Sequence, residues 1–300
     1  MKFDLSINIL TYKYGEKIKE TLASVFDSIT TYSYEVIVVD NDSKDGIGDF
    51  IASNFKEQFV SGKLRFIQNA RNTGFGAGHN TGIKAAAGTY VLMLNADTKV
   101  STDTLQVMMD FMKSRPDVGI ATCRLVKEDG TDDLAARRRI PDPWVAFTRL
   151  AGLQKLFPKS KYFGGYNLTY KSPDEAQEVE CCVGAFMLVS PACLGKTKGF
   201  DEDFFMYGED IDWCLRARKA GFKIWYYPKA RTIHYKGSTS RKVSSRALFW
   251  FHESMWIFYR KHFYHHYPKL FSVLIYLGVW GRYCILRFVN SLRKDPYVSK

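Results

Sequence analysis

The chain has 300 residues, 46% of them hydrophobic, which supports one large domain or a domain with an appendage and excludes a disordered protein. Its six cysteines (Cys123, Cys181, Cys182, Cys193, Cys214, Cys284) show no C-x-x-C spacing, and the one adjacent pair would make a strained bridge, so they read as reduced packing residues. The formal charge of +12 is uneven: residues 241–300 hold eleven Lys or Arg against two acids, a net +9 that suits an anionic neighbour.

No charged head and apolar signal segment precedes the first predicted strand, residues 5–10, so a cytoplasmic chain is expected. That strand ends on Thr11 and Tyr12. Residues 17–30 place Ile18, Leu22, Val25, Phe26 and Ile29 at helical spacing, and residues 34–39 form a second buried strand that stops at Asp40-Asn41-Asp42-Ser43. Strand, helix, strand, each strand ending in polar residues, begins an open α/β sheet with its ligand edge at the strand carboxyl ends. Asp40 and Asp42 stand where a ribose, base or metal would be read, or where the helix predicted at 46–55 needs a cap.

A third strand, residues 64–68, leads through Arg71 into Asn72-Thr-Gly-Phe-Gly-Ala-Gly-His-Asn80. Gly74, Gly76 and Gly78 lack Cβ atoms, so a ligand or another strand can approach the backbone. The helix predicted at 78–87 would open with free N–H groups that favour an anion such as phosphate. Arg71 offers a fork of donors to a diphosphate. Residues 90–94 are a continuous apolar run, as in a strand buried on both faces, and its carboxyl end carries Asn95, Ala96 and Asp97. An Asp at that point can hold Mg²⁺ or Mn²⁺ bridging two phosphates, because these cations prefer oxygen ligands.

A helix at 102–114 and a strand at 118–125 follow. Residues 126–180 lose periodicity and gain Arg137-Arg138-Arg139, Pro141, Pro143, Pro158 and Gly164-Gly165; such a stretch suits a second substrate or is a solvated loop. Past a strand predicted at 179–190, acids and aromatics alternate over 199–213, just before a helix at 209–220 that Gly221 ends. Glu209 and Asp210 fall in its first turn, where the helix dipole stabilises their charged forms. An ionised carboxylate walled by aromatics suits a general base, whereas dipole complementation is enough for Asp212. After a strand at 223–227, His234 is placed either to complete a site begun by Asp97 or to serve the structure.

The tail is dense in aromatics over 249–267 and apolar over 270–289 apart from Arg282 and Arg287. A spanning helix needs about 20 apolar residues and would here bury a guanidinium, so a helix lying in the membrane interface on an anionic inner leaflet is expected. Packing on the catalytic domain, or a homodimer interface, is the other use of such helices. The aromatic, apolar character of the basic tail points to lipid rather than nucleic acid. The glycine spacing, G-x-G-x-G rather than G-x-G-x-x-G, speaks against a dinucleotide-dependent oxidoreductase.

Taken together, Asp40-Asn-Asp-Ser43, the run Asn72 to Asn80, Leu94-Asn-Ala-Asp97-Thr98, Met206-Tyr-Gly-Glu-Asp210-Ile-Asp-Trp-Cys-Leu-Arg216 and His234 resemble glycosyltransferase family 2, most of all its bacterial dTDP-rhamnose-dependent rhamnosyltransferases. The resemblance spans about residues 5–240. It implies a GT-A nucleotide-diphosphosugar transferase fold over residues 1–240, a mostly parallel open sheet flanked by helices. Residues up to about 125 would be the nucleotide-sugar half, 126–240 the acceptor half, and 241–300 a helical, basic appendage. It further implies that Thr11, Tyr12, Asp40 and Asp42 hold base and ribose, that Arg71, Asn72, Gly76 and Asn80 lie near the diphosphate, and that Asn95 and Ala96 line the donor site. Asp97 takes the last position of the family's D-x-D metal motif, with Asn95 at the first leaving one fewer negative ligand. His234 would be the second protein ligand of a divalent cation, Asp210 the base and Glu209 its neighbour. The implied reaction is inverting, metal-dependent transfer of L-rhamnose from dTDP-rhamnose to a polysaccharide or lipid-linked glycan. A UDP-sugar hexosyltransferase and a sugar-nucleotide pyrophosphorylase are the alternatives.

Overall fold

The computed structural model describes residues 3–235 and 245–292. Its first half runs β1 (Phe3–Thr11), α1 (Ile18–Phe26), β2 (Tyr34–Asp40), α2 (Ile47–Asn54), α3 (Lys56–Val60), β3 (Leu64–Gln68), α4 (Phe75–Ala85), β4 (Gly88–Asn95), β5 (Thr98–Val100), α5 (Thr104–Ser114) and β6 (Val118–Val126). The second half adds α6 (Pro143–Leu150), α7 (Leu153–Leu156), β7 (Gln177–Val179), β8 (Phe186–Val189), α8 (Pro191–Thr197), α9 (Glu209–Lys219), β9 (Lys223–His234), α10 (Ser245–His262) and α11 (Lys269–Ser291).

One sheet carries the order β3-β2-β1-β4-β8-β6-β9-β5, with β7 added beside β9. Pairing is parallel through β3, β2, β1 and β4 and between β6 and β9, and antiparallel where β8, β7 and β5 join. The parallel half is the expected open sheet. Every residue of β2 is buried, consistent with helices covering both faces. Register then aligns the strand ends that carry candidate site residues: Thr11 lies opposite Asp40, and Leu10 opposite Asn95.

Several boundaries differ from the sequence reading, each for a local reason. Helix α4 begins at Phe75 rather than at 78, because Gly74 takes φ 89° and turns the chain into the helix. The strand expected at 179–190 is two, β7 and β8. Between them, Cys181 pairs with Arg138 in an isolated bridge and Gly184 turns its N–H to Asp210. Pro191 then starts α8, whose N-cap Ser190 accepts from the Cys193 N–H. Strand β9 continues through Pro228 to His234, and the irregular stretch contains α6 and α7.

The tail's first helix lies on the catalytic half. Trp250 of α10 stacks at a tilt on Phe205, ring centroids 4.3 Å apart, and Phe251 meets Tyr207 edge-on. Lys261 reaches Asp201 and Asp203, and His262 Nε2 lies 2.7 Å from Asp212 Oδ1. Asp212, fully buried, also accepts from Arg216 Nε at 2.7 Å, so its role is to anchor α9 to α10. Helix α11 packs on α10 through Tyr259–Ser272 and Arg282–His252 contacts and leaves Leu270, Leu274, Leu277, Ile285 and Phe288 exposed. Residues 236–244 and 293–300, the start and end of the basic tail, lie outside the described residues.

Candidate active site

The carboxyl ends of β1 and β2 carry the first cluster of candidate residues. Thr11 is buried and its hydroxyl has no protein partner, while Tyr12 beside it is exposed. Asp40 is buried and uses both carboxylate oxygens locally, accepting from the Ser43 N–H and hydroxyl and from Gln68 Nε2 at 2.8 Å. Asp42 sits in the left-handed region at φ 66° near Lys44. Asn41, between them, is a hub that sequence reasoning missed. Its amide donates to Asn72 Oδ1 and the Gly74 carbonyl and accepts from Asn69 Nδ2 and the Thr73 N–H. The end of β2 is thereby locked to the glycine turn. Asn72 Oδ1 also accepts from the Gly74 N–H, and Arg71 is exposed.

The glycine turn is shaped by protein rather than by open space. A Cβ on Gly74 would strike the Phe205 carbonyl, and one on Gly76 would come within 3.0 Å of Phe200. The Phe75 N–H donates to the Phe205 carbonyl, so the first donor of α4 is already satisfied. Asn80 clasps the same 200–205 segment, donating to the Phe200 carbonyl and Glu202 and accepting from the Phe200 N–H. Of the two approaches the small residues permit, another segment of chain is the one realised at Gly74 and Gly76. That segment leads directly into α9.

A second cluster forms where β4 ends. The antiparallel β5–β9 ladder pairs Thr98 with His234, which brings His234 beside Asp97 across 137 residues of chain, Nε2 lying 3.3 Å from Asp97 Oδ1. The other ring nitrogen, Nδ1, faces Asp133 Oδ2 at 3.0 Å. Burial alone would lower the His234 pKa, but the hydrogen bonds and charges of Asp133 and Asp97 outweigh it and raise it to about 9. Asn95 Nδ2 lies 3.4 Å from His234 Nε2, and Asn95 Oδ1 is buried without a partner. Ala96 is buried and its carbonyl accepts from the Thr21 hydroxyl. Among the described residues no group of three or more His, Cys, Asp and Glu is gathered to hold a metal by itself. One carboxylate, one imidazole with its far nitrogen fixed by a carboxylate, and an orphaned amide oxygen nevertheless form a donor set that fits a hard divalent cation taking its other ligands from phosphate and water.

The third cluster is the first turn of α9. Arg138 Nη2 donates to Asp210 Oδ2 at 2.6 Å and to the Cys182 carbonyl at 2.6 Å. The Gly184 N–H reaches the same carboxylate oxygen at 3.2 Å, and the Ile211 N–H the other. Burial would lower the Arg138 pKa, yet Asp210 holds it well above the ordinary value, so the two form a charged pair. Glu209 differs. Burial, reinforced by the neighbouring Asp210 charge, pushes its pKa up to about 8, and its Oε2 has no partner. Asp210 and the β4 end are linked through adjacent residues, since Ala185 accepts from the Asn95 N–H while Gly184 donates to Asp210.

A family model described as Glycosyl transferase family 2 matches residues 6–176, more than half of the chain. The chain belongs to glycosyltransferase family 2. Its relatives include rhamnosyltransferase WbbL of Escherichia coli (strain K12), 26% identical over 257 residues that cover 81% of this chain and 88% of that one. An N-acetylglucosaminyl-diphospho-decaprenol L-rhamnosyltransferase of Mycobacterium tuberculosis is 25% identical over 265 residues, covering 85% and 83%. Among solved structures, the mannosyltransferase PcManGT from Pyrobaculum calidifontis, in complex with GDP-Man and Mn²⁺, shares the GT-A fold. It superposes with TM-score 0.58 at 16% identity, covering 93% of this chain and 70% of that one. The protein is therefore a glycosyltransferase.

Within this family frame, the matched segment contains Thr11 through Asp97, whereas Glu209, Asp210 and His234 lie beyond it. The β5–β9 ladder joins His234 to the end of β4, and the Gly184–Ala185 junction joins Asp210 to it. Asp133 and Arg138 were absent from the sequence-derived site. Arg138 had one visible signal, its place in an arginine run within an irregular stretch; Asp133 had none, because only the fold puts it against His234.

Proposed function

We propose that this glycosyltransferase moves L-rhamnose from dTDP-rhamnose, with inversion, onto a lipid-linked or growing polysaccharide acceptor. In this reading residues 1–240 are the catalytic unit, with the donor held by the part up to about 125 and the acceptor by 126–240. The observation that carries it is the junction at Gly184–Ala185, which ties the carboxylate Asp210 to the strand end bearing Asn95, Ala96 and Asp97. Relatives named rhamnosyltransferases support the sugar.

Each residue then has a task. Thr11, with its unpartnered buried hydroxyl, and Tyr12 meet base and ribose; Asp40 and Asp42 shape that part of the site. Arg71 and Asn72 face the diphosphate, while Gly76 and Asn80 hold the 200–205 segment against α4. Asn95, Asp97 and His234 would hold Mg²⁺ or Mn²⁺, and a bound cation would supply positive charge to the departing diphosphate. Asp133 keeps the His234 ring oriented. Asp210 accepts the acceptor hydroxyl proton as the new C–O bond forms opposite the breaking bond to the diphosphate, and Arg138 balances its charge while it is unprotonated. Glu209, whose carboxyl burial and the Asp210 charge hold above the ordinary range, stands beside it as a neighbour rather than a second base.

Helix α11, with 23 residues, mean hydropathy 1.4 and a mostly exposed apolar surface, would rest on the inner face of the membrane, where a lipid-linked acceptor is found. A thermal-shift panel of dTDP-rhamnose, UDP-hexoses and GDP-mannose with Mn²⁺ or Mg²⁺ tests the donor. Metal-dependent stabilisation by dTDP-rhamnose, lost in Asp97→Ala, is the expected result. Stabilisation by a UDP-sugar alone would replace rhamnose with a hexose, and silence across the panel would overturn the donor site.

A further inference from the structure

Residues 143–162, which hold α6 and α7, contain Arg149, Lys155, Lys159 and Lys161 and no acid. All four cations are exposed. The same twenty residues expose Trp144 (51%), Phe147 (56%), Leu150, Leu156 (70%), Phe157 (51%) and Tyr162 (77%). Val145, Thr148 and Gln154 are buried, so α6 and α7 already have an inward face, and the apolar side chains point away from the core that could have covered them. Trp144 and Phe147 lie with ring centroids 6.0 Å apart, Trp144 and Phe163 6.3 Å, and Phe157 and Phe163 5.4 Å. These contacts make the aromatics one patch rather than scattered singles.

Large exposed aromatics ringed by lysines and free of carboxylates match one environment best. Indole, phenyl and phenol rings settle at the headgroup level of a bilayer, and lysines close to an anionic leaflet add attraction. A protein partner would have to be both apolar and acidic at the same spot, whereas an anionic leaflet offers negative headgroups and an apolar layer beneath them over its whole surface. We propose that α6, α7 and the following turn form a second membrane-contacting surface, separate from α11, that sits on anionic phospholipid headgroups.

Its position gives it a use that rests on the acceptor reading above. The Arg149 guanidinium lies 4.2 Å over the Tyr166 ring, the Tyr166 hydroxyl is 3.5 Å from Arg138 Nη1, and Arg138 pairs with Asp210. The patch is thus three side chains from the carboxylate assigned as base. Helix α10 approaches the segment just before α9 from the tail, through Trp250 on Phe205 and Phe251 on Tyr207. An acceptor whose lipid stays in the leaflet would enter beside α6–α7 with its sugar hydroxyl directed toward Asp210.

The test uses the full chain, sedimented with vesicles of phosphatidylcholine alone or with added phosphatidylglycerol, in the absence of donor and acceptor. Two variants are compared with wild type: Lys155→Ala/Lys159→Ala/Lys161→Ala, and Trp144→Ser/Phe147→Ser/Phe157→Ser. The lysine variant is expected to bind phosphatidylglycerol vesicles on the order of 100-fold more weakly, and the aromatic variant at least about tenfold more weakly. Both should keep the wild-type melting temperature, because all six side chains are exposed. Vesicle binding equal to wild type in both variants would overturn the proposal and leave α11 as the sole contact. A wild-type dimer that the aromatic variant dissolves would also overturn it, since the patch would then be covered by a second copy. Because no nucleotide-sugar is present, this outcome is independent of the donor panel.

Discussion

Arg138 and Asp210 form a buried ion pair at 2.6 Å, linking an irregular segment to the first turn of the acidic helix 72 residues later. Burying a charge is tolerated only when it is paired and hydrogen-bonded, and here the Cys182 carbonyl and the Gly184 N–H add hydrogen bonds to the two partners. Breaking one partner strands the other. Arg138→Leu is expected to lower stability by about 3–5 kcal/mol in urea unfolding, whereas Arg138→Leu/Asp210→Asn should recover much of that loss. A double variant no more stable than Arg138→Leu would show that the pair is not the reason.

Glu209 supplies a pH signature. Its pKa in the folded chain, about 8, lies above the ordinary 4.5, so the folded state binds the proton more tightly than the unfolded one. The stability tied to this group is fully present below pH 4.5 and is lost as pH rises to 8. Wild type should therefore lose melting temperature between about pH 5 and 8 relative to Glu209→Gln, which cannot ionise. Parallel curves for the two proteins across that range would contradict the assignment.

In the proposed reading, Asp133 acts on the cation site at one remove. It fixes Nδ1 of His234 and leaves Nε2 facing Asp97. Replacing an outer-shell carboxylate of this kind commonly costs about 10–100-fold in metal affinity. Asp133→Asn should weaken Mn²⁺ binding in the presence of dTDP by that factor, read by electron paramagnetic resonance of free Mn²⁺, while Asp97→Ala should abolish it. Unchanged Mn²⁺ binding in both variants would remove the cation from this cluster.

The parallel half of the sheet and its polar strand ends could be read from sequence because they rest on local patterns: buried runs at 34–39 and 90–94, each followed by polar residues. Asn95-Ala96-Asp97 and Glu209-Asp210 were visible for the same reason, as strand-end and helix-start signals. The rest depended on long-range pairing. The β5–β9 ladder that delivers His234, the insertion of antiparallel β8 between β4 and β6, and the docking of α10 on α9 leave no periodic trace. The glycines at 74 and 76 show the ambiguity most clearly: missing Cβ atoms announce close approach, but only the fold reveals Phe205 and Phe200 as what approaches.

The most direct measurement is single-turnover transfer from dTDP-rhamnose by wild type and Asp210→Asn, with donor-induced thermal stabilisation measured on both. Loss of a positioned base costs about 10²–10⁴-fold in rate. The variant should lose transfer to that extent and retain its donor-induced shift, because the residues proposed to meet the donor, Thr11, Asn95 and Asp97, are untouched. Transfer within a few-fold of wild type would contradict Asp210 as the base.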